Sequence, residues 1–264
     1  MKVQVLVAAV DQNDHSLLKK MNIDSDVIVG NQCDRNSIEE FDYNGHWATY
    51  LNFAERGVGL NRNNTLIRAT GDICLFADDD MEYVDNYVQI IEREFERYPH
   101  ADALIFNINT IGGEQQRRQN TKVKRIRTFN SLNYGAARIA VRRASIQKNR
   151  ICFSQHFGGG AMYSSGEDSL IIRDMLKKGF KIYAIPKTIA TVDQRTSTWF
   201  SGYHEKFFHD KGALMKAMFP RMYVLMNNIY FPLRYKRIAG EKAFNIRRWM
   251  KQGSKDFNKL KPYK

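Results

Sequence analysis

Residues 57–81, GVGLNRNNTLIRATGDICLFADDDM, close an apolar run with three consecutive aspartates. The run Ile73–Ala77 is typical of a strand, and a polar turn followed by helical periodicity over 59–69 comes directly before it. Carboxylates this close repel one another unless a cation lies among them. The stretch therefore has two interpretations, a solvated acidic turn or a metal site at the end of a buried strand.

Strand-like and helix-like segments alternate along the first 110 residues. The strand-like runs, rich in β-branched residues, are 3–10, 26–30, 73–77 and 101–108. Such alternation predicts an α/β fold with an open, mostly parallel sheet flanked by helices. Ligands of these sheets bind beyond the carboxyl ends of the strands. Because Asp78, Asp79 and Asp80 follow the third run, their position favours the metal interpretation.

Two further groups of residues carry chemistry. Magnesium and manganese prefer oxygen ligands and are held by one or two carboxylates while a substrate diphosphate supplies the rest, which suits Asp78 and Asp80. Glu167 and Asp168 precede a helix predicted to begin at Ser169, so Asp168 is either an N-cap or a general base. The polar helix start at Arg62 is either an ordinary cap or a contact to a nucleotide's base or phosphates.

The chain shows no sign of a disulfide framework or a membrane span. Its cysteines, Cys33, Cys74 and Cys152, are far apart and lack the CxxC spacing of a zinc site. No run approaches the roughly 18 uninterrupted apolar residues of a spanning helix, and the N-terminus does not resemble a secretory signal. We therefore expect a cytoplasmic protein.

The net charge of +13 is concentrated near the C-terminus. Residues 201–264 contain 15 of the 41 basic and 4 of the 28 acidic residues, which gives that segment +11. A basic block favours an anionic partner, either nucleic acid or acidic lipid. Apolar residues at helical spacing within it are predicted to pack against the α/β body: Leu214, Met218, Met222, Leu225 and Met226. Aromatic residues there suit a membrane interface instead: Tyr230, Phe231, Tyr235 and Trp249.

The stretch 57–81 and the stretch 158–186, GGGAMYSSGEDSLIIRDMLKKGFKIYAIP, together resemble family 2 glycosyltransferases of the GT-A fold. The similarity covers roughly residues 1–210. It implies a Rossmann-like nucleotide-binding half ending in the D-x-D metal motif, and an acceptor half with the catalytic base. On this basis we expect three segments: 1–110 binds the nucleotide sugar, 111–200 binds the acceptor and carries the base, and 201–264 is a basic, aromatic-rich helical extension.

The resemblance assigns roles to individual residues. Asp168 would be the catalytic base, with Glu167 beside it. The donor-binding residues would be Asn31, Asp34, Arg62, Asn63, Asp78 and Asp79. Asp80 and Asp78 would hold Mg²⁺ or Mn²⁺, and His209 is either a third metal ligand or an ordinary surface histidine. The acceptor-binding residues would be Gly159, Gly160 and Trp199.

The implied activity is inverting, metal-dependent transfer of a hexose from a nucleotide sugar, with a UDP-sugar as the expected donor. The acceptor would be a saccharide or lipid-linked saccharide in bacterial surface polysaccharide synthesis, at an anionic membrane if the basic segment docks there. Residues 194–199 do not reproduce the Q-x-x-R-W signature of processive synthases, which favours one sugar per encounter. Ala8–Asp11 and Asn31 depart from the family pattern, and this leaves the nucleotide open.

Two other classes compete with a glycosyltransferase. A nucleotidyltransferase could also use metal-bound carboxylates, but it has no need for a base at Asp168. A nucleic-acid-binding protein would explain the basic C-terminal segment, but it leaves Asp78–Asp80 unexplained, because carboxylates repel phosphate. We therefore expect no nucleic-acid partner.

Overall fold

A mixed β-sheet forms the centre of the fold in the structure, a computed structural model that describes residues 1–112, 119–128, 130–193 and 202–260. The strands in chain order are β1 (Val3–Val10), β2 (Asp26–Gln32), β3 (Ser37–Tyr43), β4 (His46–Phe53), β5 (Ile73–Asp78), β6 (Met81–Tyr83), β7 (Ala103–Ile111), β8 (Lys124–Arg125), β9 (Ile139–Arg142) and β10 (Ile182–Asp193). The helices are α1 (Ser16–Lys20), α2 (Val58–Arg68), α3 (Tyr87–Arg97), α4 (Arg143–Asn149), α5 (Glu167–Lys177), α6 (Glu205–Met218), α7 (Tyr223–Leu225), α8 (Phe231–Tyr235) and α9 (Ala243–Lys259). Two 3-10 turns cover Ser131–Asn133 and Ala136–Arg138, and a π-helical turn covers Met226–Tyr230.

The strand order is β3-β4-β2-β1-β5-β9-β7-β10-β6, and β8 pairs with β10. The pairs β1–β2, β1–β5, β2–β4 and β7–β10 are parallel. Antiparallel pairing comes from the β3–β4 hairpin and from the short strands β6, β8 and β9. The predicted α/β fold with a mostly parallel sheet flanked by helices is confirmed.

Apolar layers cover both faces of the sheet, which is why its inner strands read as continuous apolar runs. Along β1, Val5 and Val7 belong to one core cluster, together with Tyr87 of α3. Leu6, between them, belongs to the other cluster, with Ile171 of α5. The alternation of side chains along a strand produces this division, and β5 emerges from the two layers only at Asp78.

Sequence reasoning left the β3–β4 hairpin unassigned. Its turn is Asn44-Gly45, and both residues have positive φ, 53° and 82°. An Asn-Gly pair between two alternating segments is a strong hairpin signal, because both residues tolerate the left-handed conformation of a type I′ turn. The alternating burial along β3 agrees with its place at the edge of the sheet.

The chain divides into two compact units. The first contains Met1–Gln155 together with α5 and β10, and the second contains His156–Gly166 together with the C-terminal helices. The two predicted halves of the α/β domain, 1–110 and 111–200, therefore contribute to the same unit. Within the described ranges, no helix combines the length and the apolar character needed to cross a bilayer.

The second unit is built around α6 and α9, which approach closely at two glycines. A Cβ added at Gly212 would lie 2.1 Å from the carbonyl oxygen of Met250, and one at Gly253 would lie 1.8 Å from that of His209. The hydroxyl of Ser254 donates to the carbonyl of Gly212 at 2.9 Å. Small residues therefore allow the two helix backbones to touch.

The C-terminal apolar residues that were predicted to pack against the α/β body differ in how deeply they are buried. Leu214 and Met218 on α6 are buried and Met226 is partly buried, whereas Met222 and Leu225 are 45% and 54% exposed. The prediction is wrong for the latter two, since helical spacing alone does not say which neighbour a face meets. The expectation of a membrane interface is also wrong for Phe231 and Trp249, which are buried in the core of this unit.

Candidate active site

Three aspartates lie where β5 ends, and the first two contact different partners. Asp78 is the last residue of β5, and its register partner on β1 is Ala8. Asp79 and Asp80 form the turn into β6. The carboxylate of Asp79 accepts hydrogen bonds from the backbone N–H of Val10, at 3.2 Å, and from the side chain of Gln12, at 3.4 Å. Asp79 thus ties the turn to the end of β1, and burial raises the pKa of its carboxyl.

A buried cation, Arg62 on α2, meets the carboxylate of Asp78. One terminal nitrogen of its guanidinium donates to Asp78 Oδ1 at 2.6 Å. The other donates to Glu167 Oε1 at 3.2 Å and to Asp168 Oδ1 at 2.9 Å. The guanidinium also lies 5.3 Å from the ring centre of Phe153. A single arginine therefore joins the end of β5 to the first turn of α5.

Electrostatics explains how this charge is kept inside the protein. Burial alone would lower the pKa of Arg62, but the charges of Asp78, Asp168 and Glu167 raise it above its usual value. A buried charge is tolerated only when such partners compensate for its lost hydration. The Nε of Arg62 has no hydrogen-bond partner among the described residues.

The pair Glu167–Asp168 begins α5 rather than preceding it. Gly166, just before it, has φ of +125°, a conformation that side chains disfavour, so a glycine is required at this sharp entry. The carboxyl of Glu167 is buried, which raises its pKa to about 7, with the charge of Asp168 adding to the shift and Arg62 opposing it. The side chain of Asp168 is 30% exposed, against 11% for Glu167. Asp168 is thus the more accessible of the two carboxylates.

Gly135, which sequence reasoning missed, lies against this pair. A Cβ added there would be 3.2 Å from Oδ2 of Asp168. A side chain at position 135 would therefore crowd the carboxylate. Nothing in the sequence around position 135 indicated this, because the contact spans 33 positions of chain and depends on the 3-10 turns before β9.

Asn63 and Asn31 are both engaged within the protein. The side chain of Asn63 donates to the carbonyl of Phe153 at 2.9 Å and accepts from its N–H at 2.7 Å. Asn31, fully buried at the end of β2, makes the same kind of paired contact with the backbone of Gln12, at 2.8 and 2.9 Å. Both predicted donor-binding residues thus hold neighbouring loops in place.

A polar network extends from Asn31 into the β3–β4 hairpin. Asn31 donates to Asn52 at 2.7 Å, and Asn52 donates to Glu39 at 2.6 Å. Asp34, the other residue predicted beyond β2, is exposed. Sequence reasoning missed Asn52 and Glu39, because it did not assign the β3–β4 hairpin, and it missed Gln12, whose backbone contacts Asn31.

Other predicted site residues belong to the second unit. Gly159 and Gly160 lie at the exposed tip of a loop that is closed by hydrogen bonds between Gly158 and Tyr163 and between Tyr163 and His156. The ring nitrogens of His209 lie 3.1 Å from a carboxylate oxygen of Asp210 and 3.2 Å from one of Asp256. Trp199 lies outside the described residues.

The donor atoms at the end of β5 fit a hard divalent cation. All are carboxylate oxygens, the ligand type that Mg²⁺ and Mn²⁺ prefer. Across the part of the chain that the structure describes, no group of three or more His, Cys, Asp or Glu side chains is arranged to hold a metal.

Comparisons with known proteins identify the fold and the family. The structure resembles S. aureus TarS residues 1–349 in complex with UDP-GlcNAc, with a TM-score of 0.63 and 15% identity over 100% of this chain and 93% of that chain. The complex of the same fragment with UDP gives a TM-score of 0.61 and also 15% identity over the same shares of both chains. These similarities establish the GT-A fold. The comparison with curated protein sequences finds no match.

A family model, described as glycosyl transferase family 2, matches residues 10–156, more than half of the 264 residues. The matched range contains Arg62 and the three aspartates, and it ends before Glu167 and Asp168. With the fold and the family in agreement, the nucleotidyltransferase interpretation is set aside. The chain belongs to glycosyltransferase family 2.

Proposed function

We propose that this protein transfers a hexose, with inversion at the anomeric carbon, from a nucleoside diphosphate sugar to a hydroxyl of a saccharide or lipid-linked saccharide. The observation that carries the proposal is the cluster around Arg62, which joins Asp78 to Glu167 and Asp168. A strand-end carboxylate on the donor side and a helix-start carboxylate on the acceptor side thus share one buried cation. A UDP-sugar is the donor we favour, because the TarS structures contain UDP-GlcNAc and UDP.

Asp168 is the general base in this proposal. Its carboxylate takes the proton from the acceptor hydroxyl, the hydroxyl oxygen bonds to the anomeric carbon, and the bond between that carbon and the diphosphate oxygen breaks. The greater exposure of Asp168 supports this choice over Glu167. Arg62 fixes the direction of the carboxylate by holding Oδ1 at 2.9 Å, which keeps the base in one orientation as the acceptor arrives.

Asp78 and Asp80 would hold Mg²⁺ or Mn²⁺, whose charge would stabilise the diphosphate as it leaves. The all-oxygen donor set supports this choice of metal. Asp79 stabilises the turn after β5 through its hydrogen bonds to Val10 and Gln12.

We place the reaction in the cytoplasm, at the inner face of the membrane, as a step in the synthesis of a bacterial surface polysaccharide. The basic C-terminal segment supports this placement, since a lipid-linked acceptor would lie at an anionic surface.

The proposal is tested by measuring the release of nucleoside diphosphate from a panel of nucleotide sugars with saccharide acceptors. Asp168→Asn should lower turnover about 10²–10⁴-fold, the usual contribution of a general base, while donor binding stays close to that of the wild type. Asp174→Asn changes a more exposed carboxylate on the same helix and is the matched control. Full transfer activity in Asp168→Asn would remove Asp168 as the base.

A further inference from the structure

The C-terminal unit carries an apolar stripe on its surface. The segment 221–238 contains α7, the π-helical turn and α8 in direct succession. Large apolar side chains at spacings of three or four residues are 45–57% exposed along it: Met222, Leu225, Ile229 and Leu233. This spacing places them on one face of the helical segment. We call these four residues the apolar stripe.

The stripe is a second face, distinct from the one by which the segment packs. On the packed side, Phe231 and Pro232 are buried. The buried side chain of Asn227 donates to the hydroxyl of Ser254 at 2.6 Å and to the carbonyl of Gly212 at 3.3 Å. The segment is therefore anchored to α6 and α9 without help from the stripe.

A shallow depression of about 540 Å³ lies along the stripe. Leu225, Ile229 and Leu233 line it, together with Tyr230 and Arg234. Exposed apolar patches of this kind are uncommon on soluble proteins and mark surfaces that contact another apolar body. Ile238, just beyond α8, and Phe244, in the first turn of α9, add to the exposed apolar surface of this unit.

Cations flank the stripe. Arg221, Arg234, Lys236 and Arg237 are exposed, and none of them pairs with a carboxylate in the part of the chain that the structure describes. Arg247 of α9 joins this group, because its Nε donates to the side chain of Asn228 at 3.0 Å. From Lys211 to Lys255 the sequence has 11 basic residues and a single acidic one, Glu241.

The combination of an apolar face and flanking cations selects one kind of partner. Nucleic acid would use the cations but not the stripe. A second copy of this chain would bring two strongly basic surfaces together in a symmetric contact, which charge repulsion opposes. An anionic bilayer offers both an apolar interior and negative headgroups.

We propose that segment 221–238 docks on an anionic lipid bilayer. The apolar stripe enters the boundary between headgroups and acyl chains. Arg221, Arg234, Lys236 and Arg237 lie at the level of the headgroups, and Tyr230 lies at the border, where its hydroxyl accepts a hydrogen bond from Arg234 at 3.2 Å. The docking needs no catalysis, so its test is independent of the role of Asp168.

The test is flotation of the full chain with vesicles, without donor or acceptor. One set of vesicles is phosphatidylcholine alone, and the other is phosphatidylcholine with phosphatidylglycerol. The wild type should float only with the anionic vesicles, and added salt should release it, because exposed charges are screened. Flotation with neither set, or binding to anionic vesicles that salt does not affect, would overturn the proposal.

Two variants separate the contributions of the stripe and the cations. Arg234→Gln/Lys236→Gln/Arg237→Gln should weaken binding about 100-fold, since each cation near an anionic surface contributes about fivefold. Leu225→Ser/Ile229→Ser/Leu233→Ser should weaken it at least as much, because three apolar side chains leave the bilayer. Unchanged binding in either variant would contradict the docking. The salt response of the wild type tests the charge contribution even if a variant fails to fold.

Matched controls remove the same number of exposed cations or exposed apolar side chains elsewhere. Lys148→Gln/Lys178→Gln/Lys181→Gln removes three exposed lysines, and Ile38→Ser/Ile67→Ser/Ile111→Ser removes three exposed isoleucines, all in the first unit. Both controls should float like the wild type. The main alternative is that the stripe joins two copies of this chain, and sedimentation velocity tests it. A wild type that is a dimer and does not bind vesicles, together with a stripe variant that is a monomer, would show that the stripe joins two copies.

Discussion

Arg62 is buried and contacts the carboxylates of three residues, two of which lie more than 100 positions away in the sequence. Asp78, Glu167 and Asp168 would repel one another without it. The guanidinium resolves this conflict because its planar fork donates to several oxygens at once. In the proposed reaction Arg62 is a positioning residue, since it holds the carboxylate of the proposed base.

Replacing Arg62 by lysine tests this role. Lys keeps the positive charge but cannot hold Asp78 and Asp168 in the fixed geometry of a guanidinium. We expect Arg62→Lys to lower kcat on the order of tenfold, a loss typical of a misplaced catalytic group, with a smaller change in KM. Arg68→Lys, an exposed arginine on the same helix, is the control. Unchanged kcat in Arg62→Lys would show that the base does not depend on the guanidinium.

The pKa of Glu167, raised to about 7 by burial, predicts a pH-dependent stability. Between its ordinary value of 4.5 and 7, the unfolded chain has lost this proton while the folded protein still holds it. The free energy of unfolding should therefore fall as pH rises through this window. The contribution of this one group is at most about 3 kcal/mol.

Glu167→Gln should remove this dependence. Thermal unfolding should show that, as pH rises from 5 to 7.5, the Tm of the wild type falls relative to the Tm of the variant. Glu205→Gln is the matched control, because Glu205 also lies in the first turn of a helix but is exposed. A Tm difference that is the same at both pH values would contradict the raised pKa.

At the scale of elements, backbone contact between α6 and α9 holds the C-terminal unit together. Gly212 and Gly253 permit this contact, since a Cβ at either position would overlap a carbonyl group of the other helix. Glycine lowers the stability of an isolated helix, so its presence in the middle of both helices points to packing. The hydrogen bond from Ser254 to Gly212 reinforces the same crossing.

Gly253→Ala should therefore destabilise the protein in spite of the better helix propensity of alanine. The added methyl would lie 1.8 Å from the carbonyl oxygen of His209, and backbone cannot move aside as a side chain can. We expect a loss on the order of 3 kcal/mol in the free energy of unfolding, measured by urea denaturation. Gly159→Ala is the control, because a Cβ there meets nothing within 4 Å. Equal stability of the two variants would contradict the close crossing.

At the scale of the whole molecule, ligand binding affects the stability of the fold, and the basic residues are unevenly distributed along the chain. A donor that binds only the native state stabilises the fold by mass action, by about 2.7 kcal/mol at a hundredfold excess over Kd. The basic residues are concentrated in 201–264, so the remaining 200 residues carry only +2 of the net +13. In the proposed function, nucleotide binding by residues 1–200 would therefore owe little to a general excess of positive charge.

The predicted donor and metal should raise Tm together. We expect UDP with Mn²⁺ to raise Tm by several degrees, at about 2–4 °C per kcal/mol for a chain of this size, and EDTA to reverse the increase. Asp80→Asn should lose it. Asp24→Asn changes an exposed carboxylate elsewhere and should keep it. An increase with UDP that survives both EDTA and Asp80→Asn would contradict the role of the metal in donor binding.

Part of the fold and of the candidate site could be read from local pattern. Continuous apolar runs predicted β1, β2, β5 and β7, because strands covered on both faces exclude polar residues. Helical periodicity over 59–69 predicted α2, which spans Val58–Arg68. The β3–β4 hairpin could have been found from Asn44-Gly45, since that signal is also local.

The sequence by itself placed carboxylates at the end of β5 and next to the start of α5, because strand and helix boundaries follow from residues close together in the chain; the structure begins α5 two residues earlier than predicted, at Glu167. The sequence also raised the question of what lies among the three aspartates. Only the tertiary structure decided that Arg62 holds Asp78, Glu167 and Asp168, and that Asp79 is turned to β1 instead. It also decided that Leu225 faces outward while Leu214 faces inward. These outcomes depend on which elements meet in space, and contacts across more than 100 residues leave no local pattern in the sequence.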